Sequence, residues 1–275
     1  MVTSELVRCI RDMLTDNAAF EAAEIVMHVL GIDRSTLILN SRSEVPDGAA
    51  KKAEELAERR RSGEPLQYIL GSAEFMSLGF EVNPSVLIPR SDTETLAEYA
   101  IEKLRGRHIR LIDIGTGSGC IGISIAKYHG DVELALADIS ADALAVAAAN
   151  AKRHGVRAKL LQIDILNELP EGRYDAVVSN PPYIESGVIP TLQTEVRDHE
   201  PLTALDGGAD GLKFYRRITD TAAGFLESGG LLAFEIGYDQ GEAVSELMKE
   251  NFYAVEIIKD LCGNDRVAAG RLKNS

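Results

Sequence analysis

The chain has 275 residues, 45% of them hydrophobic, with 24 glycines, 9 prolines and 3 cysteines, which excludes a disordered, collagen-like or disulfide-stapled molecule. No stretch approaches the ~18 uninterrupted apolar residues of a membrane-crossing helix, no signal peptide is expected, and Cys9, Cys120 and Cys262 lie far apart without a C-x-x-C pair, so a cytoplasmic address is expected and a metal site is not. The formal net charge is −14, nearly all of it beyond residue 62, which disfavours nucleic acid as the main ligand and suits a basic protein partner.

Residues 1–62 read as successive helices. Leu6, Ile10 and Leu14 recur at helical spacing, as do Ala22, Ile25, Val26, Val29 and Leu30 before Gly31, a fitting C-cap. Asp33 can cap a short helix through Leu39, and Asp47 can start another that ends in the polar segment from Glu58 to Ser62. This small bundle holds no polar cluster fit for chemistry, so a docking role is expected for it. Residues 63–90 read as a linker. Within it, 65–70 is expected as a short strand, and Glu74-Phe-Met76 with Phe80-Glu-Val82 as a hairpin.

The region 91–275 alternates strand and helix. Asp92 opens a helix to about Leu104, with Glu94 in the first turn at the positive end of the dipole. Strands are expected at 109–114, 132–137, 158–162, 174–179 and 230–236, and helices at 119–129, 140–153, 211–227 and 239–250. Segments 253–259 and 265–272 are separated by a short stretch around Gly263-Asn-Asp265 and can pair as an antiparallel edge. The α/β alternation implies a Rossmann-like, mostly parallel sheet covered on both faces.

Two segments carry chemistry. Gly115-Thr116-Gly117-Ser118-Gly119 follows an apolar strand and opens a helix, where glycines let the backbone pass close to a ligand. Asp138, about 20 residues on, ends the next strand and can accept hydrogen bonds from a ribose diol. Its alternative is a helix cap, although Ser140 can already serve there. Asp164 sits where an acid can meet an adenine amino group, or is a plain loop acid. This loop points to a nucleotide-like ligand without saying which. Asn180-Pro181-Pro182-Tyr183 follows a buried strand that delivers it beside the glycine loop. Rigid prolines fix the backbone, Asn180 offers a side-chain carbonyl, and Pro181 offers a backbone carbonyl with no N–H to compete. Two acceptors suit a planar NH2 group, and Tyr183 adds a flat face for stacking. A nicotinamide-dependent oxidoreductase accounts for the glycine loop but leaves residues 180–183 idle.

At this point the sequence resembles the S-adenosylmethionine-dependent methyltransferases of the amino-group class. More narrowly, it resembles the bacterial family that methylates the glutamine side-chain amide of peptide chain release factors. The matching stretches include Pro65-Leu-Gln-Tyr-Ile, Val86-Leu-Ile-Pro-Arg-Ser-Asp-Thr-Glu94, Asp113-Ile-Gly-Thr-Gly-Ser-Gly-Cys120, Ser179-Asn-Pro-Pro-Tyr-Ile184, Phe234-Glu-Ile-Gly237 and Gly263-x-Asp-Arg266. The resemblance implies a class I methyltransferase domain over 91–275 and a substrate-docking helical domain over 1–62. It places residues 115–119, Asp138, Asp164, Ile165 and Asn180 at the cofactor, and residues 180–183 around the glutamine of a Gly-Gly-Gln motif. Asn180, Pro181 and Tyr183 are the catalytic candidates, and Arg90 and Glu94 are carried over from the matching motif. Related activities remain open alongside it: methylation of a ribosomal protein glutamine, or of an exocyclic base amine in RNA or DNA. The proton of an amide can leave after methyl transfer, so no strong base is required. Accordingly, His28, His108, His129, His154 and His199 form no visible dyad.

Overall fold

The structure is a computed structural model that describes residues 1–15 and 17–274. Two compact units divide the chain: residues 1–71 with 193–199, and residues 72–192 with 200–275. Among the described residues no helix is long and apolar enough to cross a membrane.

The smaller unit holds α1 (Thr3–Met13), α2 (Ala18–Leu30), α3 (Arg34–Leu39), α4 (Ala49–Arg61) and α5 (Leu66–Leu70). Leu6 and Ile10 of α1, Ala22, Ile25 and Val26 of α2, and Ala53 and Ala57 of α4 form its core. These are the i, i+3 and i+4 positions that one helix face presents to its neighbours. Gly31 ends α2 at φ +64°, and the Asp33 side chain accepts the Thr36 N–H at 2.7 Å to start α3. The strand expected at 65–70 is instead α5. Pro65 suits a helix entrance because it has no N–H to leave unpaired, and Gly71 closes the turn at φ +69°. Leu66 and Ile69, three apart, both join the helical core, a period that a strand would break.

In the larger unit, β1 (Ser72–Phe75) and β2 (Leu78–Glu81) form the expected hairpin. It folds into this unit, since Phe75 and Phe80 enter one of its two cores. The turn residues Met76 and Ser77 take φ +50° and +59° without being glycine. The turn is held from outside: Glu94 Oε1 accepts the Met76 N–H at 2.7 Å, and the Tyr128 hydroxyl donates to the Met76 carbonyl at 2.6 Å.

A single 3-10 turn (Ser91–Thr93) leads into α6 (Glu94–Leu104). The alternation then runs β3 (Ile109–Ile114), α7 (Cys120–His129), β4 (Val132–Asp138), α8 (Ala141–His154), β5 (Ala158–Gln162) and β6 (Tyr174–Ser179). After a long excursion that includes α9 (Thr194–His199), grouped with the smaller unit, come α10 (Lys213–Thr221), β7 (Leu226–Glu235), α11 (Gly241–Lys249), β8 (Phe252–Lys259) and β9 (Asp265–Leu272). The helix expected over 211–227 stops early. Leu226 already pairs with Tyr174, and Phe225 and Leu226 are fully buried, so core burial and strand pairing override the helical reading.

These strands form one seven-stranded sheet in the order β5-β4-β3-β6-β7-β9-β8. Pairs from β5 to β7 are parallel, and β9 runs antiparallel to both its neighbours. Alternate residues serve opposite faces: Ile109 and Leu111 belong to one core, Ile112 and Ile114 to the other. On the outer strand β8 the register shifts between Tyr253 and Glu256, where Ala254 takes φ +50°. The strand order reverses between β3 and β6, and such a switch point is where open α/β sheets leave a crevice at their carboxyl ends.

Candidate active site

A cavity of about 380 Å3 opens at that switch point. Its floor is the turn after β3. Gly115, Gly117 and Gly119 sit at φ +70°, +52° and +81°, a left-handed run that side chains resist. Asp113, at 0% exposure, organises this turn from beneath: its Oδ2 accepts the Thr116 hydroxyl at 2.7 Å and the Gly122 N–H at 3.0 Å. Burial pushes the Asp113 carboxyl up to about 6 despite both bonds. Across the cavity, Asp138 at the tip of β4 accepts the Gly117 N–H at 2.9 Å and the Ser140 N–H at 2.9 Å. Ser140 itself caps α8 by accepting the Ala143 N–H. Asp138 therefore braces the glycine turn and leaves the capping to its neighbour, and burial raises its carboxyl.

Asn150, fully buried in α8, ties the turn to the hairpin. Its side-chain amide donates to the carbonyls of Ser118 and Glu81 at 2.9 Å, and its Oδ1 accepts the Glu81 N–H at 2.7 Å. Asp164 and Ile165 line the cavity beyond β5. The Asp164 carboxylate accepts the Leu166 N–H and the Asn167 side-chain amide, while Ile165 is buried.

The lip formed by residues 180–183 leaves β6 next to the end of β3, where Ser179 lies opposite Ile114 and donates to its carbonyl at 2.6 Å. Asn180, Pro181 and Pro182 line the cavity. No donor among the described residues reaches Asn180 Oδ1 or the Pro181 carbonyl, so two acceptors are left on the lip. The lip is pinned from behind. Gln240 Nε2 donates to the Tyr183 carbonyl at 3.1 Å, and Ile184 exchanges backbone hydrogen bonds with Leu205 and Gly207. Gly207 and Gly211 pack so close that a Cβ on either would stand 2.7 Å from Tyr183 Cα or 2.3 Å from Tyr183 O.

Tyr183 itself does not line this cavity. Its ring packs against the second core and its hydroxyl donates to Glu235 Oε1 at 3.4 Å, so the expected stacking face is turned inward on this side. Glu235, at the end of β7, is 2% exposed, and burial pushes its carboxyl up to about 7 against the pull of Arg266. Arg266 is shared between Asp92 and Asp260 at 3.2 Å each. Arg90 lines the cavity and pairs with buried Glu200 at 2.5 Å. Glu94 is not brought to the cavity; it serves the hairpin turn.

Sequence reasoning assigned no role to Asp113, Thr93, Glu235 or Gln240. The last three contact lip residues 52 to 87 positions away, and local patterning carries no such signal. Asp113 is visible in the sequence as the one acid inside the apolar strand before the glycines.

S-adenosylmethionine, the cofactor that the sequence resemblance implies, fits these residues. Asp138 offers carboxylate oxygens for a ribose diol, the glycine turn leaves room for a close backbone approach, and Val86, Ile88, Ile139, Ile163 and Ile165 give apolar walls for a planar base. The volume falls within the roughly 300–1,000 Å3 of small-ligand pockets.

Comparison with known proteins agrees with this geometry. Two family descriptions match: Methyltransferase small domain over residues 92–195 and PrmC N-terminal domain over residues 4–71. The release factor glutamine methyltransferase of Geobacter sulfurreducens is 41% identical over 259 residues, covering 94% of this chain and 90% of that protein. The protein of the same name from Bordetella pertussis is 40% identical over 268 residues, covering 96% and 99%. Among solved structures, a methyltransferase from Pyrococcus furiosus superposes with a TM-score of 0.53 at 20% identity, over 73% of this chain and 91% of that one. This last likeness supports the fold.

Proposed function

Because the chain belongs to the release factor glutamine methyltransferase family, we propose that it transfers the methyl group of S-adenosylmethionine to the side-chain amide nitrogen of the glutamine in the Gly-Gly-Gln motif of peptide chain release factors. The observation that carries this reading is the pair of acceptors, Asn180 Oδ1 and the Pro181 carbonyl, on a rigid lip beside the glycine turn in one cavity.

The cofactor supplies a methyl group made electrophilic by its sulfonium centre. The residues of this chain supply position. An amide nitrogen is a poor nucleophile because its lone pair is shared with the carbonyl. Asn180 Oδ1 and the Pro181 carbonyl accept its two N–H bonds, which fixes both its place and the direction of its lone pair. Holding reactants in such a preformed arrangement can be worth roughly 7–11 kcal/mol. The same acceptors stabilise the positive charge that grows on nitrogen as it gains a fourth bond. That nitrogen is then acidic enough to release its proton without a buried strong base, and no histidine among the described residues lines the cavity.

The smaller unit is assigned the docking of the folded factor. Phe20, Ile38 and Leu39 are 54%, 68% and 83% exposed there, an apolar surface offered by two of its helices. The acidic balance of the rest of the chain favours a basic protein such as one that works against ribosomal RNA. Transfer of a tritiated methyl group to purified release factor tests the proposal, with the Gly-Gly-Gln glutamine replaced by alanine as control. Label on the wild-type factor alone is expected; equal label on both, or on neither, overturns it.

A further inference from the structure

Asn150 is a polar side chain at 0% exposure on α8, a helix whose other buried positions are apolar. It does not line the cavity, yet its three hydrogen bonds all lead there. Oδ1 accepts the Glu81 N–H at 2.7 Å, and Nδ2 donates to the Glu81 and Ser118 carbonyls at 2.9 Å each. Every partner is a backbone group, whose part as donor or acceptor is fixed by its chemistry, so the direction of this amide is settled by its surroundings. Ser118 belongs to the glycine turn that floors the cavity, and is 2% exposed. Glu81 ends β2, and only Val82, Asn83 and Pro84 separate it from residues 85–90, which wall the same cavity. That connection is short and stiff. Pro84 restricts its own backbone, the Asn83 side chain accepts the Ser85 N–H at 2.9 Å, and its carbonyl accepts the Val86 N–H at 3.1 Å. A displacement at Glu81 therefore reaches the wall instead of being absorbed on the way. The lip is held by other bonds, from Ser179, Gln240, Leu205 and Gly207.

We propose that Asn150 is a positioning residue for the cofactor: one buried amide sets the gap between the glycine turn and the wall at 85–90, and thereby the affinity for S-adenosylmethionine, without serving the glutamine side of the site. The proposal rests on the cofactor assignment above and deepens it. Without the amide, the Ser118 carbonyl loses its buried donor and both Glu81 backbone groups lose this partner, so floor and wall are no longer held in register. Linkage then requires the converse: a ligand that binds the registered arrangement better must in turn strengthen the Asn150 bonds by the same factor.

The experiment compares wild type, Asn150→Ala and Met248→Ala by calorimetry with S-adenosylhomocysteine. Met248 is fully buried in α11 and does not line the cavity, so its truncation lowers stability without touching floor or wall. Asn150→Ala is expected to weaken S-adenosylhomocysteine binding about tenfold, within the usual range of coupling between sites. The KM for S-adenosylmethionine should rise by a similar factor, while the KM for release factor changes less than about twofold. Met248→Ala should melt at a lower temperature yet bind S-adenosylhomocysteine as the wild type does. In the wild-type protein, saturating S-adenosylhomocysteine should slow hydrogen exchange of the Glu81 N–H about tenfold, the reciprocal of the affinity loss. Wild-type affinity in Asn150→Ala, an equal loss in Met248→Ala, or Glu81 exchange indifferent to the ligand overturns the proposal. Should Asn150→Ala fail to melt cooperatively, Asn150→Asp, which keeps the shape and the acceptor but not the two donors, is read by the same criteria, and the wild-type exchange measurement decides without either variant. A wild-type protein that binds S-adenosylhomocysteine yet leaves release factor unlabelled sinks the methyl-transfer reading, and calorimetry still judges the role of Asn150.

Discussion

Gly211→Ala tests how far the rigidity of the lip matters. Gly211 is buried at φ +70°, and a Cβ there would stand 2.3 Å from the Tyr183 carbonyl oxygen and 2.7 Å from Gln240 Nε2. Left-handed backbone costs a residue with a side chain about 1–2 kcal/mol, and overpacking adds about 1–3 kcal/mol. Gly155 provides the control: at φ +68° it carries the same strain, yet nothing lies within 4 Å of its Cβ position. The difference between Gly211→Ala and Gly155→Ala therefore isolates the clash. At about 2–4 °C per kcal/mol, Gly211→Ala should melt roughly 2–12 °C below the control by circular dichroism. The clash is relieved only if the Tyr183 backbone moves, carrying Asn180 and Pro181 with it. A shift of about 1 Å costs on the order of a hundredfold in turnover, whereas Gly155→Ala should keep the wild-type rate. Coincident melting curves together with wild-type turnover in Gly211→Ala would refute the idea that the lip is pinned from behind.

Other perturbations address separate parts of the molecule. Asn180→Ala should lower turnover about 10²–10³-fold with S-adenosylhomocysteine binding partly preserved in calorimetry; an unchanged turnover removes the clamp from the mechanism. The Glu235 carboxyl is raised from 4.5 to about 7 by burial, so from about pH 4.5 to 7 the folded state keeps a proton that the unfolded state has shed. Its contribution to stability falls as pH rises through that window and levels off above it. Glu235→Gln should therefore gain in melting temperature relative to wild type between about pH 5 and pH 8, and parallel curves would contradict the assignment. Ser77→Gly should relieve the positive φ of the hairpin turn and raise the melting temperature by about 2–4 °C, since roughly 1 kcal/mol of strain is removed; a lowered temperature means the serine makes a compensating contact. Leu39→Ser should raise KM about fivefold for intact release factor, as for a modest interface contact, while leaving a short Gly-Gly-Gln peptide unaffected; equal effects on both would argue against docking through this helix.

Much of the larger unit was legible because parallel strands are buried on both faces and announce themselves as apolar runs, as Ile109–Ile114 and Tyr174–Ser179 do. The glycine turn, Asp138 and residues 180–182 fall at strand ends, so finding the strands was enough to bring them together. The failures share a cause. Leu66–Leu70 is too short for periodicity to separate helix from strand, and its helical state is decided by what Leu66 and Ile69 pack against. Residues 222–226 continue a helical pattern, yet Phe225 and Leu226 gain more by burial in the sheet layer. Tyr183 reads as an exposed platform until Glu235, 52 residues on, claims its hydroxyl. Gln240 and Thr93 have unremarkable neighbours in sequence and acquire meaning only once the lip folds over them.

The kink on the outermost strand bears on how copies of this molecule meet. An unpaired strand offers a ladder of N–H and C=O groups to any straight partner, the usual seed of stacked aggregates. Where Ala254 bends β8, that ladder is out of step, and Glu256 and Lys259 place opposite charges along the rim beyond it. A second copy could not zip onto this border over its full length, so runaway strand addition is discouraged there by backbone shape, independently of anything that happens in the cleft.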